Sequence, residues 1–304
     1  VRLEASDFVG RVTFITGPSK HCGKTTLLNA CLALLRAAGE RPAFLGVGFD
    51  GEGRDSLSGV RKPRIAIEPG EVFVTAERYL SSSGCLPEIL DVLPGSTALG
   101  RLAVARARRS GAVTLVGPER NEYAAGAISM ILGEGWAGTV LVDGAINRIT
   151  QVSSFEGARF LFSLRVSPQD VEAQVRRIRL LYALHSLPVL RRAEGEGARD
   201  QAEAFPEPLF CLHGPLTEET AKRIPPEAAT VVVEDFTKVF LDGPGLSAFT
   251  RQRGLALRSK ADFGGFVVVL RDLTRGKFSA ALKDRDIEEM VSYNPYEGLS
   301  GGAA

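Results

Sequence analysis

The chain has 304 residues, enough for a sizeable core and, at the usual ~150 residues per domain, for about two domains. With 44% hydrophobic and 24% charged residues it is neither disordered nor collagen-like, and its four cysteines (Cys22, Cys31, Cys85, Cys211) are too scattered for a disulfide framework or a zinc knuckle. Lys and Arg total 37 against 36 Asp and Glu, a formal net charge of +1 that gives no overall electrostatic case for a nucleic-acid or acidic-membrane partner.

Val12 to Thr16 is short, β-branched and apolar, as a buried parallel strand is, and a Gly-containing turn follows it directly. From Lys24 to Ala38 the residues Leu27, Leu28, Cys31, Leu32, Leu34 and Leu35 recur at helical spacing, with Gly39 where a helix stops. Further strands are expected at Ala43–Val47, Ala112–Val116, Thr139–Val142, Arg159–Leu164 and Thr230–Val233, separated mostly by helical stretches such as Glu122–Leu132 and Pro168–Leu184. This alternation predicts an α/β fold with a mostly parallel sheet covered by helices. Residues 48–110 break the rhythm and read as a β-rich insertion, in which Lys62 to Ala76 is expected to form a hairpin around Pro69-Gly70.

The resulting division is a main α/β domain over 1–190, an exposed, charged connector over 191–208, a C-terminal α/β extension over 209–295 and a flexible Gly-rich tail over 296–304. In the extension, Leu209–Leu212 and Phe266–Leu270 read as strands alongside Thr230–Val233. No apolar run reaches the ~18 residues that span a bilayer, and the start Val-Arg-Leu-Glu-Ala-Ser-Asp lacks a signal peptide's apolar centre, so a cytoplasmic protein with no membrane association is expected.

The strongest chemical signal is Gly17-Pro18-Ser19-Lys20-His21-Cys22-Gly23-Lys24-Thr25-Thr26, between the first strand and the first long helix. That is the setting of a phosphate-binding loop: backbone N–H groups curl around phosphate oxygens and the helix N-terminus adds positive potential. Lys24 is placed to neutralise β/γ-phosphate charge and the Thr25 hydroxyl to ligate magnesium. Pro18 stands where the commonest pattern has glycine, and the nearer glycine is Gly17, giving G-x5-G-K-T; this spacing resembles the loop of dethiobiotin synthetase, a P-loop NTPase relative that binds ATP.

Thr139 to Asp143 is an apolar strand ending in a carboxylate, which suits an acid beside magnesium and an attacking water. Asp50, after the second strand, is a candidate second magnesium-shell carboxylate, and Glu119, after Val116-Gly117-Pro118, stands at a third strand edge; both also fit turn-forming roles. Cys22 reads as loop filler, and Lys20 lies one place from the signature lysine of deviant Walker loops and is not given that role. His21, His185 and His213 have no metal-like spacing. Arg176, Arg177 and Arg179 read as a solvated helix face, and Arg101, Arg106, Arg108 and Arg109 as ordinary surface charge.

Taken in order, Gly17–Thr26, Gly48-Phe49-Asp50-Gly51-Glu52, Lys62-Pro63-Arg64-Ile65, Val74-Thr75-Ala76, Glu88-Ile89-Leu90, Thr97-Ala98-Leu99-Gly100, Val116-Gly117-Pro118 and Val142 to Arg148 make a set. Over about residues 10–150 it resembles the P-loop subunit encoded with cobalamin-dependent lysine 5,6-aminomutase and D-ornithine 4,5-aminomutase, part of their reactivation machinery. The resemblance implies magnesium-dependent ATP hydrolysis that helps a radical aminomutase eject damaged cobalamin, with a MutS-like second subunit as a further partner. Residues 48–58 and 144–155 are then the segments expected to switch. An ATP-dependent ligase or small-molecule kinase of the dethiobiotin synthetase type, with an acceptor pocket near Glu119, is the alternative. A metallochaperone-type GTPase is another, but no Asn/Thr-Lys-x-Asp base motif occurs, the nearest element being Val233-Glu234-Asp235-Phe236-Thr237-Lys238. A homo-oligomer is compatible with either enzyme reading.

Overall fold

The structure, a computed structural model, describes residues 3–18, 22–47, 64–97, 99–118, 120–144, 158–190 and 205–294. The chain forms two compact units, one of Val1–Val166, Gly264–Arg271 and Met290–Ala304, the other of Ser167–Phe263 and Asp272–Glu289.

In the first unit the chain lays down β1 (Val12–Thr16), helix α1 (Lys24–Ala37), β2 (Ala43–Gly46), β3 (Ile65–Ile67), β4 (Val72–Ala76), β5 (Pro87–Thr97), β6 (Gly100–Ala107), β7 (Gly111–Val113), helix α2 (Asn121–Gly133), β8 (Val140–Asp143) and β9 (Arg159–Val166). The second unit holds helix α3 (Val171–His185), β10 (Leu209–Cys211), β11 (Thr230–Val233), helix α4 (Gly243–Gln252), β12 (Gly254–Leu257) and helix α5 (Arg275–Leu282). Most of β13 (Asp262–Leu270) and all of β14 (Val291–Tyr293) return to the first unit.

The nine-stranded sheet of the first unit has the order β14-β13-β9-β1-β8-β2-β4-β6-β5. Strands β9, β1, β8, β2 and β4 pair in parallel, as do β13 and β14, while β4, β6 and β5 form an antiparallel edge. The central strands are buried along their whole length, which is why they read as unbroken apolar runs rather than alternating ones. Leu27, Leu28, Cys31, Leu32 and Leu35 of α1 join Ile15, Phe44, Phe73 and Leu141 in the core; each fully buried leucine contributes about 2 kcal/mol. Arg36, in the last turn of α1, makes a two-pronged bond to the fully buried Glu71 carboxylate at 2.6 and 2.8 Å, tying the far end of the helix to the turn before β4.

Two expected features of the first unit come out differently. Pro69-Gly70 is a turn, with Gly70 at φ +88°, but its flanking strands do not pair with each other: β3 pairs antiparallel with β7 in a separate two-stranded sheet, while β4 enters the main sheet. The reason is the burial pattern, since β4 is covered on both faces and β3 on one. The strand expected at Ala112–Val116 as part of the parallel sheet is accordingly the short β7, and β4 occupies the place beside β2.

In the second unit β10, β11 and β12 form a parallel sheet. Helix α3, read from the sequence as part of the first domain, belongs here: it contacts α4 and α5, and Arg179 donates to Leu282 O at 2.7 Å. Most of the expected connector, 191–204, and the expected tail lie outside the described residues. No helix among the described residues is long and apolar enough to cross a membrane.

Candidate functional site

The turn from β1 into α1 is shaped by two glycines with different jobs. Gly23 has φ +98°, a left-handed conformation that starts α1 and that a side chain would strain. Gly17 is needed for space: a Cβ there would collide with Cys22 Sγ and come within 2.7 Å of Ser163 O. Glycine is therefore required at 17, and Pro18, half-buried, sits beyond the crowded point. Ser19, Lys20 and His21 lie outside the described residues.

Cys22 is buried, its carbonyl accepts a 2.8 Å bond from Ser163 Oγ on β9, and its sulfur lies 3.5 Å from Lys24 Nζ. Its surroundings make it part of the turn's packing. Lys24 and Thr25 are half-buried and Thr26 is exposed. The N-terminus of α1 directs its first-turn N–H groups and positive end toward this turn.

Asp143 arrives from the strand next door. Strands β1 and β8 pair in parallel with Ile15 level with Asp143, and β2 on the other side puts Gly46 level with it. Backbone bonds hold the position: Val47 N–H donates to Asp143 O at 2.8 Å and Gly144 N–H to Ile15 O at 3.0 Å. The carboxylate is thus carried to the carboxyl edge of the sheet, where Asp143 Oδ2 lies 3.5 Å from Thr25 Oγ1. Two residues separated by 118 positions present a hydroxyl and a carboxylate oxygen at one point, a hard donor pair that fits magnesium. No three His, Cys, Asp or Glu side chains gather to hold a metal among the described residues; a magnesium ion bound with nucleotide phosphates needs only one or two protein ligands.

Asp50, Glu119 and, apart from Gly144, the segments 48–58 and 144–155 lie outside the described residues. The chain up to Pro118 does reach the same edge: Gly117 presses on the end of β2, where a Cβ would collide with Gly46 O. Sequence reasoning missed Gly117 and Ser163 as site-shaping residues. Gly117 carried a signal, a glycine in Val-Gly-Pro directly after an apolar run.

Other singled-out residues have local partners. Arg101 pairs with Glu77 at 2.8 Å, Arg106 and Arg108 with Glu88 at 3.6 and 2.5 Å, and Arg109 donates to Gly84 O at 2.7 Å. Asp235 accepts from both the N–H and the hydroxyl of Thr237, capping a short 3-10 turn. Burial, reinforced by the charge of Asp7, pushes the Cys31 thiol up, so this cysteine on the inner face of α1 is inert packing.

None of the protein-family models, curated proteins and solved structures compared with the chain matches it, so the site is read from its own geometry.

Proposed function

We propose that the chain is a P-loop ATPase that takes ATP with magnesium in the turn between β1 and α1. The observation that carries this reading is the meeting of Thr25 Oγ1 and Asp143 Oδ2 at 3.5 Å, beside a glycine-shaped turn and a helix N-terminus. The turn's N–H groups and the start of α1 receive phosphate oxygens, and Lys24 moves from the Cys22 sulfur to the β/γ-phosphate charge. Thr25 and Asp143 hold the magnesium ion, which when bound neutralises charge on the β- and γ-oxygens. Asp143 also orients the water that attacks the γ-phosphate.

Such an engine does work when its nucleotide states favour two conformations of the protein unequally. The resemblance of residues 10–150 makes a cobalamin-dependent aminomutase the proposed recipient of that work.

Isothermal titration and phosphate-release assays on wild type, Lys24→Ala and Asp143→Ala test the reading. Lys24→Ala is expected to abolish nucleotide binding or turnover, and Asp143→Ala to keep measurable binding while hydrolysis collapses. Wild-type turnover in the Lys24 variant would refute the role given to that lysine. Phosphate release measured alone, with small carboxylates and alcohols, and with an aminomutase separates the chaperone reading from a ligase or kinase.

A further inference from the structure

We propose that Ser163 is a positioning residue for the bound nucleotide, closing the Gly17–Cys22 turn from the neighbouring strand; the proposal rests on the nucleotide reading above. Strand β9 pairs in parallel with β1, Ile15 level with Leu161 and Thr16 level with Phe162, which brings Ser163 beside Gly17. Ser163 is fully buried on a strand whose buried residues on either side, Phe160, Leu161, Phe162 and Leu164, are all apolar, and a buried hydroxyl is unfavourable unless it is bonded. Its bond goes to Cys22 O at 2.8 Å, and its own carbonyl oxygen faces Gly17 closely enough to exclude a side chain there. One residue of β9 thus touches both ends of the turn.

The consequence for anion binding is directional. A turn that gathers phosphate must aim N–H groups inward and carbonyls outward, and every carbonyl turned away into a buried setting needs a donor. Ser163 supplies that donor for Cys22, the residue whose sulfur in turn accepts from Lys24 Nζ at 3.5 Å. The chain of contacts Ser163–Cys22–Lys24 holds the Cys22 end of the turn and the lysine's resting place before nucleotide arrives, so binding orders less of the protein.

The test is titration of Mg–ATP into wild type, Ser163→Ala and Ser83→Ala, with thermal melting of each. Ser83 is a matched control: its hydroxyl is also buried and donates to a carbonyl, Leu80 O at 2.6 Å, in the same unit but on a different element. Ser163→Ala is expected to weaken Mg–ATP affinity about tenfold, the effect of one hydrogen bond, while Ser83→Ala lowers the melting temperature comparably and leaves affinity at the wild-type value. Wild-type affinity in Ser163→Ala, or equal losses in both variants, overturns the positioning role and leaves the nucleotide reading standing. No binding by wild type brings down the nucleotide reading and this role with it. If Ser163→Ala melts below the assay temperature, Ser163→Cys, with similar volume and a weaker donor, is titrated instead; a smaller loss of affinity is expected and an unchanged value overturns the role.

Discussion

A methyl group at position 17 would have to share space with the Cys22 sulfur and the Ser163 carbonyl oxygen, and neither neighbour is the free end of a long side chain. Gly17→Ala is therefore expected to cost about 1–3 kcal/mol of stability through overpacking and to reduce Mg–ATP affinity by displacing Cys22. Thermal melting and calorimetry on this variant check both effects; unchanged values would mean the turn repacks freely. The same crowding explains the G-x5-G-K-T spacing physically, because the close approach falls at 17 and not at 18. The places of Lys24, Thr25 and Asp143 were legible in the sequence, the first two at the start of a periodic helix and the third at the end of an apolar strand. Ser163 was not. It acts on a residue 141 positions away, and in sequence it is one serine inside an apolar strand.

At the scale of elements, α1 is held at both ends, by the turn at its start and by Arg36 on Glu71 at its finish. Removing the guanidinium leaves a fully buried carboxylate without its counter-charge, so Arg36→Ala is expected to destabilise the fold by about 3 kcal/mol. Urea denaturation measures this directly, and a loss below about 1 kcal/mol would place the ion pair in the class of weak surface pairs. The strands flanking Pro69-Gly70 show where local reading stops. The turn was legible in its residues, and Gly70 has the positive φ that such a turn uses. Strand partners were not, because turn chemistry is local whereas pairing follows burial: Val72–Ala76 is covered on both faces and goes to the sheet interior, while Ile65–Ile67 buries alternate residues and stays in a small outer sheet.

At the scale of the whole molecule, acid acts on the second unit through a half-buried histidine. In the second unit, burial first and the charge of Lys260 next push the His185 imidazole down from its ordinary 6.5 to about 4, against the opposing pull of Asp262. Its ring lies edge-on to Phe263 with centroids 5.2 Å apart, and Nδ1 is buried with no hydrogen-bond partner among the described residues. The unfolded chain therefore takes up the proton before the folded one: stability is full above pH 6.5 and declines as pH falls toward 4. Melting temperatures measured across that window should fall in wild type and fall less in His185→Leu; parallel slopes would remove His185 as the cause. The parallel core of the large sheet was legible from its apolar runs, but the partition of the chain was not, since a charged stretch after residue 190 resembles a boundary while the compact units change over at Val166. Contacts between α3 and the later helices decide that, and composition carries no trace of them.

The sheet order also has a consequence for biosynthesis. Strand β9 ends at Val166, but its outer neighbour β13 begins only at Asp262, and β14 follows at Val291. A ribosome making this chain thus releases the first unit with one flank of its sheet unclosed, its backbone donors and acceptors waiting through the synthesis of most of the second unit.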